Sequence, residues 1–128
     1  MAFDPLRILV VDDNVDTADS IATYLRLRGD EVWTAHDAPS ALALADLHRP
    51  HCVLVDVIMP APDGVDLCRR LKAAHGDDIV LVVMTGGDEV DPRVVEAFAI
   101  SDHHFQKPFD LERLSKLLHP PLHQRAGQ

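Results

Sequence analysis

The sequence predicts an α/β fold in which a doubly wound, five-stranded parallel sheet lies between two layers of helices. Two observations carry this prediction: short runs that are apolar at every position, and segments with a helical apolar period between them. Strands that are apolar throughout are buried on both faces, which is typical of a parallel sheet covered by helices. Strands alternating with helices favour right-handed crossovers and a three-layer sandwich.

Five strands are predicted, three central and two at the edges. The central strands are the apolar runs Arg7–Val11, Cys52–Val55 and Ile79–Met84. Glu31–Ala35 and His103–Gln106 contain fewer apolar residues, which suits the edges of a sheet.

Five helices are predicted between and after the strands. The first carries an inward apolar stripe, formed by Val15, Ala18, Ala22 and Leu25. The second runs from Pro39 through Leu47, and the third from about Val65 to Ala74. Asp91-Pro92 is typical of a cap and first turn, here of a fourth helix that ends near Ile100. Asp110 caps the fifth, on which three leucines share a face: Leu111, Leu114 and Leu118.

The bulk composition indicates one acidic globular domain of 128 residues. The net charge of -9 would repel DNA and anionic lipid, so we expect neither direct nucleic-acid binding nor membrane association. No apolar run approaches the roughly 20 residues of a membrane span, and the first residues do not resemble a secretory signal. The expected location is the cytoplasm, where Cys52 and Cys68 would be reduced, buried thiols.

Polar residues with related chemistry follow four of the five strands. Asp12 and Asp13 follow the first strand, Asp56 the third, Thr85 the fourth and Lys107 the fifth. In open parallel sheets, ligands bind outside the carboxyl ends of the strands, at the point where the strand order reverses. We therefore expect these residues to form one site.

Three carboxylates in one cleft require a cation, because two unit charges about 4 Å apart repel by roughly 4 kcal/mol at an effective dielectric near 20. Ligands that offer only oxygen favour Mg²⁺ or Mn²⁺ over zinc. An aspartate can also accept a phosphoryl group, and hydroxyl and ammonium donors such as Thr85 and Lys107 can hold its oxygens. No general base is needed, because a carboxylate is already ionised at neutral pH.

These residues resemble the motifs of the receiver domain of bacterial response regulators, the phosphoacceptor half of two-component signalling. The resemblance covers about residues 6–118, and the matching pieces are Ile8–Asn14, Asp56–Pro60, Asp63-Gly64, Met84–Gly86 and Lys107–Phe109. It implies a flavodoxin-like sheet in the order 2-1-3-4-5. Residues 1–118 would be the receiver domain, and the polar residues 119–128 a disordered end or the stub of a linker. No effector sequence follows residue 118, so the chain is expected to be either a single-domain regulator or a fragment.

The resemblance also implies a role for each site residue. Asp56 would be phosphorylated, and Mg²⁺ would be held by Asp12, Asp13, Asp56 and the main-chain carbonyl of Ile58. Thr85 and Lys107 would contact the phosphoryl oxygens, with a cis Lys107-Pro108 peptide aiming the lysine into the site.

Partners and output follow from the same resemblance. The phosphoryl donor would be a phosphohistidine on a sensor kinase or on a phosphotransfer domain. The face around residues 94–118 would signal to a downstream protein or support a phosphorylation-promoted homodimer. No turnover of a separate substrate is expected.

One residue departs from the family pattern. Members commonly carry Tyr or Phe three residues before the lysine, where the ring moves inward together with the threonine. This chain has His104 there, whose polarity makes an apolar inward pocket less favourable. The usual switch between Thr85 and an aromatic ring is therefore in doubt.

Three other interpretations remain. An aspartate-nucleophile phosphatase of the haloacid-dehalogenase type would need Asp-x-Asp after the first strand, where this chain has Asp12-Asp13-Asn14. A flavodoxin-like cofactor binder would need a phosphate loop where these aspartates lie. A pseudo-receiver, which interacts without phosphorylation, is kept open by His104.

Overall fold

A five-stranded sheet in the order β2-β1-β3-β4-β5, with every neighbouring pair parallel, forms the centre of the molecule, as predicted. This computed structural model describes residues 5–57, 64–85, 92–106, 110–116 and 118, without the side chains at 93 and 94. The strands are β1 (Arg7–Val11), β2 (Glu31–Ala35), β3 (Cys52–Asp56), β4 (Val80–Thr85) and β5 (His103–Gln106). The helices are α1 (Val15–Leu27), α2 (Ala38–His48), α3 (Gly64–His75), α4 (Pro92–Ile100) and α5 (residues 111–116 and 118).

The core consists of two apolar layers, one on each face of the sheet. Successive strand side chains point to opposite faces. In β1, Ile8 and Val10 therefore pack in the layer formed with α1 and α5, whereas Leu9 and Val11 pack in the layer formed with α2, α3 and α4. Every residue of β3 and β4 is buried, which confirms that the apolar runs are central strands.

The predicted stripe of α1 is wrong at its first position. Ala18, Ala22 and Leu25 are buried as expected, but Val15 is 49% exposed and Ile21 is buried instead. Val15 is the first residue of α1 and lies beyond the end of β1, where the sheet no longer covers it. Apolar spacing identifies a helical face but not where the neighbouring sheet ends.

Strand and helix boundaries differ from the prediction by one or two residues. Asp56 belongs to β3, because its register partner Met84 continues the pairing beyond the apolar run. Similarly, β4 extends to Thr85 and begins at Val80, since Ile79 ends a short 3-10 turn. Helix α2 begins at Ala38, one residue before the proline, because Asp37 is its N-cap.

Two other expectations are confirmed. Cys52 and Cys68 are buried thiols, and they lie in opposite apolar layers. Among the described residues, no helix combines the length and apolar character that a membrane crossing requires.

Candidate functional site

Three carboxylates meet at the carboxyl edge of the sheet. Because β1 and β3 are parallel neighbours in register, with Val11 opposite Val55, the residues that come next are adjacent. One oxygen atom from each of Asp12, Asp13 and Asp56 lies within 4.8 Å of the others. The structure therefore brings together the three acidic residues that were predicted to meet because each follows a strand.

Asp12 is fully buried and is held by main-chain contacts on both sides. Its N–H donates to the carbonyl oxygen of Ala35 at 3.1 Å, which adds one hydrogen bond to the β1–β2 ladder. Its Oδ1 accepts from the N–H of Asn14 at 2.9 Å, and the Asn14 side chain in turn caps α1. Asp13, the next residue, is exposed, so the pair presents one buried and one solvent-facing carboxylate.

Asp56 lies against the first residue of α3. A Cβ atom on Gly64 would come within 2.6 Å of the Asp56 carbonyl oxygen and 2.5 Å of the Val57 Cα. Real Cβ atoms do not approach main-chain atoms so closely, so only glycine lets α3 begin this near the end of β3. Asp56 itself is 6% exposed, so nearly all of its surface is buried.

Two residues were predicted to donate hydrogen bonds to the phosphoryl oxygens, and only Thr85 is among the described residues. Thr85 is the last residue of β4 and is buried, one position after the register partner of Asp56. Lys107 lies outside the described residues, as do the Lys107-Pro108 peptide and Ile58. Their roles stay predictions.

His104 lies on the surface of β5. Its ring is exposed and stacks on Phe98 of α4, with ring centroids 3.9 Å apart and planes inclined by 20°. His104 therefore packs against α4 in this structure. Its part in a switch with Thr85 stays a prediction.

The acidic cluster fits a hard divalent cation. Its three ligand residues offer only carboxylate oxygens, which is the donor set that Mg²⁺ and Mn²⁺ prefer. Oxygens around one such ion, with bonds of about 2.1 Å, lie about 3 to 4 Å apart, so small side-chain rotations would bring these groups onto a metal. Asp12, Asp13 and Asp56 would hold the ion and leave positions for water and phosphate oxygens.

One residue at this edge of the sheet was not predicted from the sequence. His36 follows β2, and its Nδ1 lies 3.0 Å from the main-chain oxygen of Asp12. His36 comes directly after a strand, as Asp12 does, so the same position in the sequence could have predicted it. It was not predicted because β2 is an edge strand with few apolar residues.

The fold and this site define a doubly wound α/β protein, a class that binds ligands outside the carboxyl ends of its strands, where the strand order reverses and this acidic cluster lies. A family model of the response regulator receiver domain matches residues 8–119, and the chain belongs to this family. It is therefore a receiver domain of two-component signalling, as its motifs predicted.

Named relatives support the same assignment. The response regulator MprA of Mycobacterium sp. (strain KMS) is 42% identical over 110 residues, 86% of this chain and 47% of that protein. MprA of Mycobacterium avium (strain 104) is 40% identical over 109 residues, again 47% of its length. The chain thus spans about half the length of these curated relatives.

Solved structures agree in fold. NtrX from Brucella abortus, crystallised with ADP, has a TM-score of 0.85 and 31% identity, and the match covers 94% of this chain and 28% of that one. A CheY-like receiver domain protein from Methanospirillum hungatei JF-1 has a TM-score of 0.88 at 23% identity, covering 97% and 98%. The latter supports the fold alone.

Proposed function

We propose that Asp56 accepts a phosphoryl group from a phosphohistidine on a sensor histidine kinase or a histidine phosphotransfer domain. The observation that carries this proposal is the convergence of Asp12, Asp13 and Asp56 within 4.8 Å at the carboxyl edge of the sheet. Such a cluster is unfavourable without a cation and is suited to a doubly charged one. A bound divalent cation would offset the negative charge of both the carboxylates and the incoming phosphoryl group.

The transfer needs few protein groups. A carboxylate oxygen of Asp56 attacks phosphorus in line with the phosphorus–nitrogen bond, which breaks, and the imidazole leaves with its electron pair and takes up a proton. The Thr85 hydroxyl and the Lys107 ammonium donate to the phosphoryl oxygens as the charge redistributes. The product is an aspartyl phosphate, and no separate substrate is turned over.

The different burial of the three acidic residues supports the different roles proposed for them. Asp56 is 6% exposed, so little of its surface is open to a phosphoryl donor. Asp12 is fully buried and Asp13 is exposed, which suits one carboxylate that orients bound water and another that contacts the ion directly. We propose that Asp13 is the more direct ligand and that the carbonyl of Ile58 completes the protein's contribution.

The experiment is intact-protein mass spectrometry after incubation with acetyl phosphate and Mg²⁺. We expect one added phosphoryl group, lost in Asp56→Asn and in samples that contain EDTA. As a matched control, Asp46→Asn changes an exposed aspartate on α2, outside the site, and should be labelled like the parent.

Other outcomes would select the other interpretations. Absence of labelling in the folded parent protein would favour a pseudo-receiver, and labelling that persists in Asp56→Asn would remove Asp56 from its role. Sustained release of phosphate from a phosphate ester would favour a phosphatase.

We propose that output passes through the face around residues 94–118. Val95, on α4, is 58% exposed, and the stacked pair of Phe98 and His104 adds aromatic surface beside it. Size-exclusion chromatography with and without beryllofluoride would show whether a homodimer forms; a pulldown under the same two conditions would detect a downstream protein.

A further inference from the structure

We propose that His36 is a positioning residue for the metal-binding loop: its Nδ1–H donates to the main-chain carbonyl of Asp12 and orients the Asp12-Asp13 peptide. This inference rests on the proposed function, because it concerns the same acidic site. Its evidence is the 3.0 Å contact between the His36 ring and the Asp12 oxygen.

His36 extends the sheet by one hydrogen bond where the strands themselves end. The β1–β2 register finishes at Val11 opposite Ala35, and the N–H of Asp12 still donates to the carbonyl oxygen of Ala35. The main chain then turns away on both sides into α1 and α2. The carbonyl that follows β1, that of Asp12, lies 3.0 Å from Nδ1 of the His36 side chain.

The chemistry of the contact sets the role of the ring. A carbonyl oxygen only accepts, so the ring nitrogen that faces it must carry the hydrogen. Asp12 is fully buried, and a buried carbonyl without a donor is destabilising. An exposed residue just after the neighbouring strand therefore donates to a buried main-chain group of the site.

The contact controls the geometry of the carboxylates. The carbonyl of Asp12 and the N–H of Asp13 belong to one rigid peptide plane. The N–H of Asp12 donates to Ala35 and its Oδ1 accepts from the N–H of Asn14, and the His36 bond adds a restraint on the orientation of that plane. The orientation of the plane decides where the Asp13 side chain begins, and hence how well it can reach an ion shared with Asp56.

The test uses three substitutions that differ in where a donor lies. Asn carries its amide nitrogen on Cγ, at the position of the histidine Nδ1, so His36→Asn keeps the donor. His36→Gln moves the donor one bond farther, and His36→Ala removes it. His48→Ala is the matched control, since it removes a histidine that stacks on Trp33, at 4.0 Å between ring centroids, away from the acidic cluster.

The measurement is the dissociation constant for Mn²⁺ alone, from the electron paramagnetic resonance signal of the free ion, with circular dichroism to verify folding. We expect His36→Ala and His36→Gln to weaken Mn²⁺ binding roughly 10-fold, the lower end of the effect of groups that orient metal ligands. His36→Asn and His48→Ala should stay within about twofold of the parent, in the range of ordinary surface substitutions. Imidazole ¹⁵N chemical shifts of the metal-free protein should show a protonated Nδ1 at His36.

The outcomes separate this inference from the proposed function. If folded His36→Ala binds Mn²⁺ as the parent does, or if Gln restores binding as well as Asn, His36 has no positioning role, while labelling of Asp56 is unaffected. An unprotonated Nδ1 in the metal-free protein would overturn the inference by itself. If the parent neither binds Mn²⁺ nor is labelled by acetyl phosphate, the proposed function fails and the inference fails with it.

Discussion

The two edges of the sheet use acidic residues in opposite ways. At the carboxyl edge, Asp12, Asp13 and Asp56 converge within 4.8 Å. At the amino edge, Asp30 and Asp102 accept from main-chain N–H groups: Asp30 from Leu6 at 3.1 Å, and Asp102 from Leu81 at 2.8 Å.

At the amino edge, Asp102 is also paired with a cation. Lys72 Nζ lies 3.2 Å from the carboxylate of Asp102. The Arg7 guanidinium donates to the carbonyls of His48 and Arg49 at the end of α2, and the Arg7 N–H donates to the His51 ring. Paired groups stabilise the fold, whereas carboxylates clustered within 4.8 Å repel one another, so the two edges contribute differently to stability.

The largest expected effect comes from closing the carboxyl edge sterically. Gly64→Ala would place a Cβ 2.5 Å from the Val57 Cα, so α3 or the end of β3 must move. We expect a loss of about 3 kcal/mol in the free energy of unfolding, the upper range for overpacking. Urea denaturation measures it.

A second glycine serves as the control for this substitution. Gly29 has a φ of 102° but open space around its Cα, so Gly29→Ala tests conformational strain without a clash. We expect a smaller loss, about 1 kcal/mol, and unchanged Mn²⁺ binding. If the two variants were equally stable, the close approach at Gly64 would not matter.

Substitution of Asp by Asn should change the free energy of unfolding in opposite directions at the two edges. Asp102→Asn weakens a charge-assisted contact with Lys72 and should destabilise the protein by about 1 kcal/mol. Asp56→Asn removes one of three clustered charges and should stabilise the metal-free protein by about 1 kcal/mol. Thermal unfolding in EDTA measures both.

Addition of Mg²⁺ should change the stability of the parent and of Asp56→Asn by different amounts. At tenfold above its dissociation constant, the ion should stabilise the parent by about 1.4 kcal/mol. Asp56→Asn should gain much less, because one ligand has lost its charge. A parent protein that Mg²⁺ leaves unchanged would contradict the role given to the carboxyl edge.

A smaller effect is expected from protonation at the amino edge. Burial, with Arg7 nearby, lowers the pKa of His51 below its usual value of 6.5. The unfolded chain then binds the proton more readily, so stability should fall as the pH drops below about 6.5 and through the folded-state pKa. Protonation at Nδ1 would also remove the acceptor for the Arg7 N–H, which lies 2.9 Å away.

His51→Asn isolates this contribution. The Asn Oδ1 can accept from the Arg7 N–H but does not titrate in this range. Urea denaturation from pH 5 to 8 should show a shallower pH dependence in the variant than in the parent. Identical pH profiles would mean that His51 does not couple protonation to folding.

The smallest effect should come from main-chain strain in the loop after α2. Arg49 has a φ of 51°, a conformation that suits glycine. Arg49→Gly should stabilise the protein by about 0.5 kcal/mol, while Arg49→Ala, which keeps a Cβ, should not. Thermal unfolding distinguishes them, and an equal gain in both would exclude strain as the cause.

Much of this fold was predictable because local sequence patterns encode it. Continuous apolar runs identified β1, β3 and β4, weaker apolar runs identified β2 and β5, and helical periods identified the helices between them. The pattern failed at Val15, where burial depends on how far the sheet extends and not on spacing. Boundaries at Asp56 and Thr85 shifted because hydrogen bonds to a neighbouring strand continue beyond the apolar residues.

The sequence by itself determined the order of elements and the acidic residues near the strand ends, because these depend on neighbours in the chain. The tertiary structure alone decided which groups meet: His36 with the carbonyl of Asp12, Gly64 with that of Asp56, and Asp102 with Leu81. Of these, the His36 and Asp102 contacts join residues 24 and 21 positions apart, and strand register and helix docking set their distances. No local sequence pattern encodes such distances, although the types of residue at the strand ends indicated where the site lies.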